Sequence, residues 1–244
     1  QIPPKENLLL VHEEAYIEDF LNLRWTHRTF SSELALNESI VKGFLLMAHG
    51  TYLASRKAVE LKGVGFHIGG GFHHAYPDHA EGFCYLNDIA FAIKKLQQEG
   101  LIKRAAVIDC DLHQGNGTAK IFRDDPSVFT FSIHQENLYP YPKEKSDWDI
   151  GLPNGTGDKE YLTLLDDAVK KILDSHKPEL VIYQAGADPY EKDQLGDLAL
   201  SLDGLKKRDE IVIGGSRKRG IPLAVTLGGG YPFDFEDVVK IHLG

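Results

Sequence analysis

Asp111 and His113 stand two residues apart, just after the apolar run Ala105–Asp109. In extended backbone that spacing turns both side chains to one face. Two ligands on one edge, joined by a third from a neighbouring segment, make the three-protein-ligand set of a catalytic zinc. Asp188, following the run Leu180–Ala185, is the natural third. The fourth position then stays open for water and a substrate carbonyl. One His and two carboxylates leave a metal electrophilic enough to polarise an amide and acidify its water. His73 and His74 are adjacent, so one can reach that water while the other lies nearer a leaving amine. A tuned imidazole is the usual general base at neutral pH, and it needs an orienting partner on its far nitrogen. Asp109 and Asn116, flanking the metal pair, are candidates for that task. Gly228-Gly229-Gly230 lets backbone approach a substrate closely, and the Tyr231 hydroxyl can donate to a developing oxyanion.

Each feature has a plainer reading by itself. An isolated Asp-x-His is more often a solvated turn or a helix cap. Asp188 precedes Pro189 and could be a turn residue, and a His pair after glycines could be a surface turn. The glycines before Tyr231 could be a flexible connection. Their joint occurrence at the ends of apolar runs reverses those odds. Gly69-Gly70-Gly71 lacks both the Gly-Lys-Ser/Thr ending and the spaced dinucleotide fingerprint, so nucleotide binding is rejected.

Positioning these residues requires a sheet. Val64–His67, Ala105–Asp109, Val128–Ile133, Leu180–Ala185 and Pro222–Leu227 read as strands. They are continuous rather than alternating apolar runs, which predicts a parallel sheet covered on both faces. Helical patterns over Glu38–Glu60, Tyr85–Glu99, Lys159–Ser175 and Leu202–Ile213 lie between them. The alternation predicts an α/β, mostly parallel, doubly wound sheet with helices on both faces, spanning residues 1–244 as one domain. Such sheets bind ligands beyond the carboxyl ends of their strands. Four of the predicted strands run straight into the Gly, His, Asp and Tyr segments above.

The bulk numbers agree with this picture. The 244 residues are 42% hydrophobic and 26% charged, ordinary globular composition for one large α/β domain. Cys84 and Cys110 sit in apolar runs; two buried thiols suit a reducing cytoplasm, and a Cys-based metal site is not expected. A net charge of −9 makes a poor generic nucleic-acid binder and suits a cationic substrate. The basic runs Lys206-Lys207-Arg208 and Arg217-Lys218-Arg219 read as solvated surface. No stretch approaches the ~20 apolar residues of a membrane span. No signal peptide is visible at Gln1-Ile2-Pro3-Pro4, and the absent initiator Met suits a start inside a longer protein.

Five segments in order resemble the signature of zinc-dependent histone deacetylases, within the arginase/deacetylase superfamily. They are 71–75 (Gly-Phe-His-His-Ala), 82–88 (Gly-Phe-Cys-Tyr-Leu-Asn-Asp), 109–118 (Asp-Cys-Asp-Leu-His-Gln-Gly-Asn-Gly-Thr), 185–188 (Ala-Gly-Ala-Asp) and 227–231 (Leu-Gly-Gly-Gly-Tyr). The blocks run through most of the chain, and their shared order makes the match specific. The resemblance implies an arginase-like fold, with zinc (or ferrous iron) on Asp111, His113 and Asp188. It implies His74 as general base and acid, His73 as an electrostatic partner, and Tyr231 as the group polarising the scissile carbonyl. Asp109 would orient His73 and Asn116 would orient His74. Asp is common at the latter position; Asn points to the class II and class IV branches, and the compact length leans to the class IV-like and bacterial branch. An amide raises imidazole basicity less than a carboxylate does. Phe83, with Gly82 and Gly229, would line the substrate channel, and Tyr139 or Tyr141 would supply a second aromatic wall. The family's monovalent cation, potassium, would sit near Asp109, Asp111, His113, Ser132 and Ile133, and a second near Phe122, Asp125 and Val128. The family's strand ahead of Ile2-Pro3-Pro4 has no counterpart here.

The implied reaction is hydrolysis of an acetyl or other acyl group from the lysine ε-amine of a protein or peptide. It implies a cytoplasmic setting, or a nuclear one in a eukaryote. Three rivals stand beside it: a deacetylase of acetylpolyamines or other small amides, a two-manganese ureohydrolase, and a non-catalytic acyl-lysine binding module. The second needs further bridging carboxylates where Asn116 and the His pair stand. The third usually lacks a ligand, the base or the Tyr, all of which are present.

Overall fold

The computed structural model describes residues 2–243. The five predicted strands form, together with one that the sequence reading missed. They are β1 (Val64–His67), β2 (Ala105–Asp109), β3 (Val128–Gln135), β4 (Trp148–Leu152), β5 (Leu180–Gln184) and β6 (Leu223–Thr226). All pair in parallel in the order β1-β6-β5-β2-β3-β4. The helices are α1 (Lys5–Leu8), α2 (Glu14–Leu21), α3 (His27–Phe30), α4 (Glu38–Leu61), α5 (Asp88–Gln98), α6 (Asn116–Phe122), α7 (Asp158–His176), α8 (Leu202–Lys218) and α9 (Glu236–Leu243).

The strands read as continuous apolar runs because both of their faces are covered. On β2, Ala105 and Val107 join the core under α2, α4 and α5, whereas Ala106 and Ile108 join the opposite core under α7 and α8. Leu180 and Ile182 alternate with Val181 and Tyr183 across β5 in the same way. Period two is therefore present, but apolar on both sides.

Helix ends are set by local chemistry. Asn37 Oδ1 accepts the Ile40 N–H at 3.0 Å and starts α4. Asn87 Oδ1 accepts the Ala90 N–H at 2.9 Å, which starts α5 three residues later than the apolar pattern suggested. Ser201 caps α8, which runs beyond the expected Ile213 to Lys218. Among the described residues no helix is long and apolar enough to cross a membrane.

Candidate metal centre and active site

The carboxyl ends of β2 and β5 meet at the middle of the sheet. From β2 the chain crosses to β3, and from β5 it crosses to β6 on the other side. This parting of crossovers opens the crevice in which doubly wound sheets take ligands.

Beyond β2 the backbone does not stay extended, as the Asp111–His113 spacing led us to expect. Asp109 Oδ1 accepts the Asp111 N–H at 3.1 Å, and Asp111 Oδ1 accepts the His113 N–H at 3.0 Å. Two successive Asx turns, rather than strand alternation, bring the pair to one point. Asp188 arrives from the turn after β5, and its Oδ1 accepts the Leu112 N–H at 2.9 Å. Asp111 Oδ2 accepts the Gly229 N–H from beyond β6 at 3.2 Å. Each carboxylate is thus held by backbone from a different strand end.

His113 Nδ1 stands 3.3 Å from Asp111 Oδ1 and 3.3 Å from Asp188 Oδ2. One ligand atom from each of the three residues lies within 4.8 Å of the others. The His113 contact to Asp188 is off the hydrogen-bond direction, so Asp188 Oδ2 is buried without a partner. Leaving a carboxylate oxygen so placed is costly unless a cation completes it. Burial, then Asp111, pushes the Asp188 carboxyl up to about 7. Burial opposes charge on His113, yet Asp111 and Asp188 carry it to about 10. The pull of two carboxylates on one imidazole marks a place made for positive charge. The donor set fits a divalent ion such as zinc or ferrous iron.

The two adjacent imidazoles are separated in character by their partners. His73 Nδ1 meets Asp109 Oδ2 at 2.7 Å, and His74 Nδ1 meets Asn116 Oδ1 at 2.6 Å. Burial opposes charge on His73, but Asp109 and Asp111 outweigh it and lift the ring to about 9. Burial, then His73 and His113, hold His74 well below the ordinary imidazole value. His74 is therefore neutral and able to take a proton. The Tyr231 phenol is raised by burial, then by Asp111 and Asp188, so it keeps its proton and can donate.

These groups form the floor of a cavity of about 300 Å³. Phe72, Phe83, Leu138 and Tyr139 wall it, and Gly82, Gly229 and Tyr231 also line it. The Tyr139 ring lies 5.1 Å from His74, whereas Tyr141 is 68% exposed and outside the lining, which decides between the two. Gly82 has φ +51°, and a Cβ there would stand 2.7 Å from His74 Cδ2 and from the Tyr139 hydroxyl. Ser132 and Ile133 are buried on β3, with Ser132 opposite Asp109 in register, and neither lines the cavity. In the turn from Phe122 to Val128, Asp125 is occupied by Lys94 at 2.5 Å and by Ser127.

The expectation of a solvated Lys206-Lys207-Arg208 run fails at Arg208, which is fully buried. Its guanidinium donates to the carbonyls of Cys110 (3.4 Å), Ala185 (3.3 Å) and Gly186, and pairs with Asp209 at 2.9 Å. It clamps the backbone next to Asp111 and Asp188 from beneath. Arg208→Met takes the guanidinium from those carbonyls, leaving Cys110 O only the Tyr161 hydroxyl and Asp209 only the Tyr183 hydroxyl, and is expected to cost ~3–5 kcal/mol, read as a lower urea midpoint. Arg208→Lys is not expected to restore it, because one ammonium cannot reproduce the fork. A midpoint unchanged in the Met variant would refute the clamp.

Comparison with known proteins accords with this geometry. The family model described as "Histone deacetylase domain" matches residues 2–241. An uncharacterised protein of Picosynechococcus sp. is 40% identical over 99% of this chain and 81% of its own length. Histone deacetylase 2 of Arabidopsis thaliana is 34% identical over 93% of this chain and 61% of its own length. A probable deacetylase of Archaeoglobus fulgidus is 36% identical over 65% of this chain. The chain thus spans 61% of the Arabidopsis relative and 47% of the Archaeoglobus one.

Proposed function

The chain belongs to the histone deacetylase family, and from that premise we propose that it hydrolyses the amide of acylated lysine side chains in proteins or peptides. The observation that carries this reading is the unpartnered Asp188 Oδ2, grouped with Asp111 and His113 at the floor of an apolar channel. A divalent ion held by those three residues would polarise the amide carbonyl and acidify water beside it. Phe83 and Tyr139 would flank an aliphatic stem, leaving the acyl carbonyl beside Tyr231. The Tyr231 phenol would donate to the carbonyl oxygen as negative charge develops there. His74, neutral and held through Nδ1 by Asn116, would take the proton of the attacking water on Nε2 and pass it to the departing amine. His73, held charged by Asp109, would stabilise negative charge nearby. We assign potassium to the neighbourhood of Asp109, Ser132 and Ile133, and residues 1–244 to one catalytic domain.

A second substrate class is favoured by one feature of the rim. Glu33 lines the cavity mouth as an exposed acid, which suits the remote ammonium of an acetylpolyamine. Kinetics on acetyl- to long-chain acyl-lysine peptides and on acetylpolyamines, each with and without chelator, test both. Chelator-sensitive turnover of the peptides is expected; turnover of polyamines alone would reassign the substrate. Hydrolysis indifferent to chelator, or absent from every substrate, would overturn the proposal.

A further inference from the structure

Asn116 occupies the position from which a base is oriented, yet an amide, unlike a carboxylate, has two different ends. Its Oδ1 could face His74, or its NH2 could, and only the first serves catalysis. With Oδ1 towards the ring, His74 must carry its proton on Nδ1, which leaves the Nε2 lone pair free. With NH2 towards the ring, Nδ1 must accept, the proton moves to Nε2, and the base is blocked.

What decides the orientation is the residue behind the amide. Glu81 Oε1 lies 2.8 Å from Asn116 Nδ2 and 2.8 Å from the Tyr139 hydroxyl, and its Oε2 lies 3.2 Å from His79 Nε2. An ionised carboxylate only accepts hydrogen bonds, so it fixes the NH2 end of Asn116 on its own side. Burial opposes ionisation of Glu81, but His79, Tyr139 and Asn116 outweigh it and hold the carboxyl below its ordinary value. The remaining Asn116 N–H reaches the Tyr76 hydroxyl at 3.3 Å, so both amide hydrogens are taken. Glu81 precedes Gly82, and the backbone exchange between Glu81 and Cys84 at 3.0 and 2.9 Å keeps that turn in place. The same carboxylate therefore holds the channel-wall Tyr139 and the orienter of the base.

We propose that Glu81 is a positioning residue that sets the His74 tautomer through Asn116 and supplies, one residue further out, the charge that an Asp at 116 would place directly on the ring. This rests on His74 acting as the base in the function proposed above. Glu81 is not among the cavity-lining residues, and it reaches His74 only through the amide, while its bond to the Tyr139 hydroxyl bears on the channel wall.

The test crosses Glu81→Ala with Asn116→Asp. In the native background, Glu81→Ala is expected to lower kcat on a fluorogenic acetyl-lysine peptide about 10–100-fold, with any change in KM, from the released Tyr139 hydroxyl, the same in both backgrounds. In the Asn116→Asp background the orienter has only acceptors, so removing Glu81 should leave kcat unchanged or raise it by relieving two facing carboxylates. Glu81→Gln in the native background should fall between wild type and Glu81→Ala, since it keeps an acceptor but can also donate. Histidine 15N shifts give a reading independent of turnover: His74 protonated on Nδ1 in the wild type, and partly on Nε2 in Glu81→Ala. An equal loss of kcat in both backgrounds would reduce Glu81 to a structural support and overturn the proposal, as would an Nδ1–H signal unmoved in Glu81→Ala. If the tautomer shifts while no variant, wild type included, hydrolyses any amide, the relay stands and the deacylase reading fails.

Discussion

Asp188→Asn is expected to abolish stoichiometric binding of a divalent ion and, with it, amide hydrolysis. The substitution keeps an acceptor for the Leu112 N–H but removes the charge carried by the buried Asp188 Oδ2, which accepts no hydrogen bond. Losing one of three protein ligands leaves a two-ligand site, and the several kilocalories of charge stabilisation an ion provides translate into about 10³-fold or more in rate. Stability of the metal-free protein should move the opposite way. Burial and Asp111 raise the Asp188 carboxyl to about 7 in the folded chain, above its unfolded value. A raised acid means that the unfolded chain ionises first as pH climbs, so the wild type loses stability from the unfolded value up to about 7. The Asn variant escapes that loss but gives up the attraction between Asp188 and the His113 ring, so its net gain is smaller than the few kilocalories Asp188 alone would give. Without metal, Asp188→Asn should therefore melt above the wild type at pH above neutrality, while losing the melting increase that added zinc gives the wild type. Metal analysis, thermal melts with and without zinc, and initial rates check all three parts. A variant that still binds one equivalent of ion and turns over would remove Asp188 from the ligand set.

How much of this was legible in the sequence depended on whether a residue's task was local. Strands β1, β2, β3, β5 and β6 were readable because apolar runs ending in Gly, Asp or His are an unbroken signal. Strand β4 was not: Trp-Asp-Ile-Gly-Leu lies at the sheet edge, is mostly half-buried, and mixes a charge and a glycine into the run. The grouping of Asp111, His113 and Asp188 was visible from spacing and motif, although the way the three converge is not by strand alternation. Two Asx turns do what strand alternation was expected to do, and both need only Asp oxygens two residues upstream of a backbone N–H. Arg208 looked like one more charge in a basic run; its clamp depends on carbonyls just beyond β2 and β5 that no local pattern announces. Glu81 was passed over for the same reason, since its partners Asn116 and Tyr139 are 35 and 58 residues away. The choice of Tyr139 over Tyr141 likewise required the path of the chain after β3. Residues able to ligate were announced by type and order, whereas residues that hold the candidate ligands and imidazoles in place were not.

Tyr231→Phe isolates the other half of the chemistry, because it removes one hydroxyl and leaves the metal-ligand group untouched. The Tyr231 backbone N–H donates to Asp193 at 2.6 Å and its carbonyl accepts from Gln194 at 2.7 Å, so the ring's position is fixed by main chain and survives the change. The ring also stays 6.3 Å from Phe83, preserving the channel wall. What disappears is a donor that burial, Asp111 and Asp188 together keep protonated. In a site shielded from water, losing one oxyanion donor costs about 2.7–4 kcal/mol of transition-state stabilisation, or about 10²–10³ in kcat. Because the ground-state carbonyl carries less charge than the transition state, KM should change far less than kcat. Zinc stoichiometry and melting temperature should match the wild type, which separates this variant from Asp188→Asn. If Tyr231→Phe instead raised KM and spared kcat, the phenol would be a substrate-binding wall, and the oxyanion would have to be held by the metal-ligand group and backbone alone.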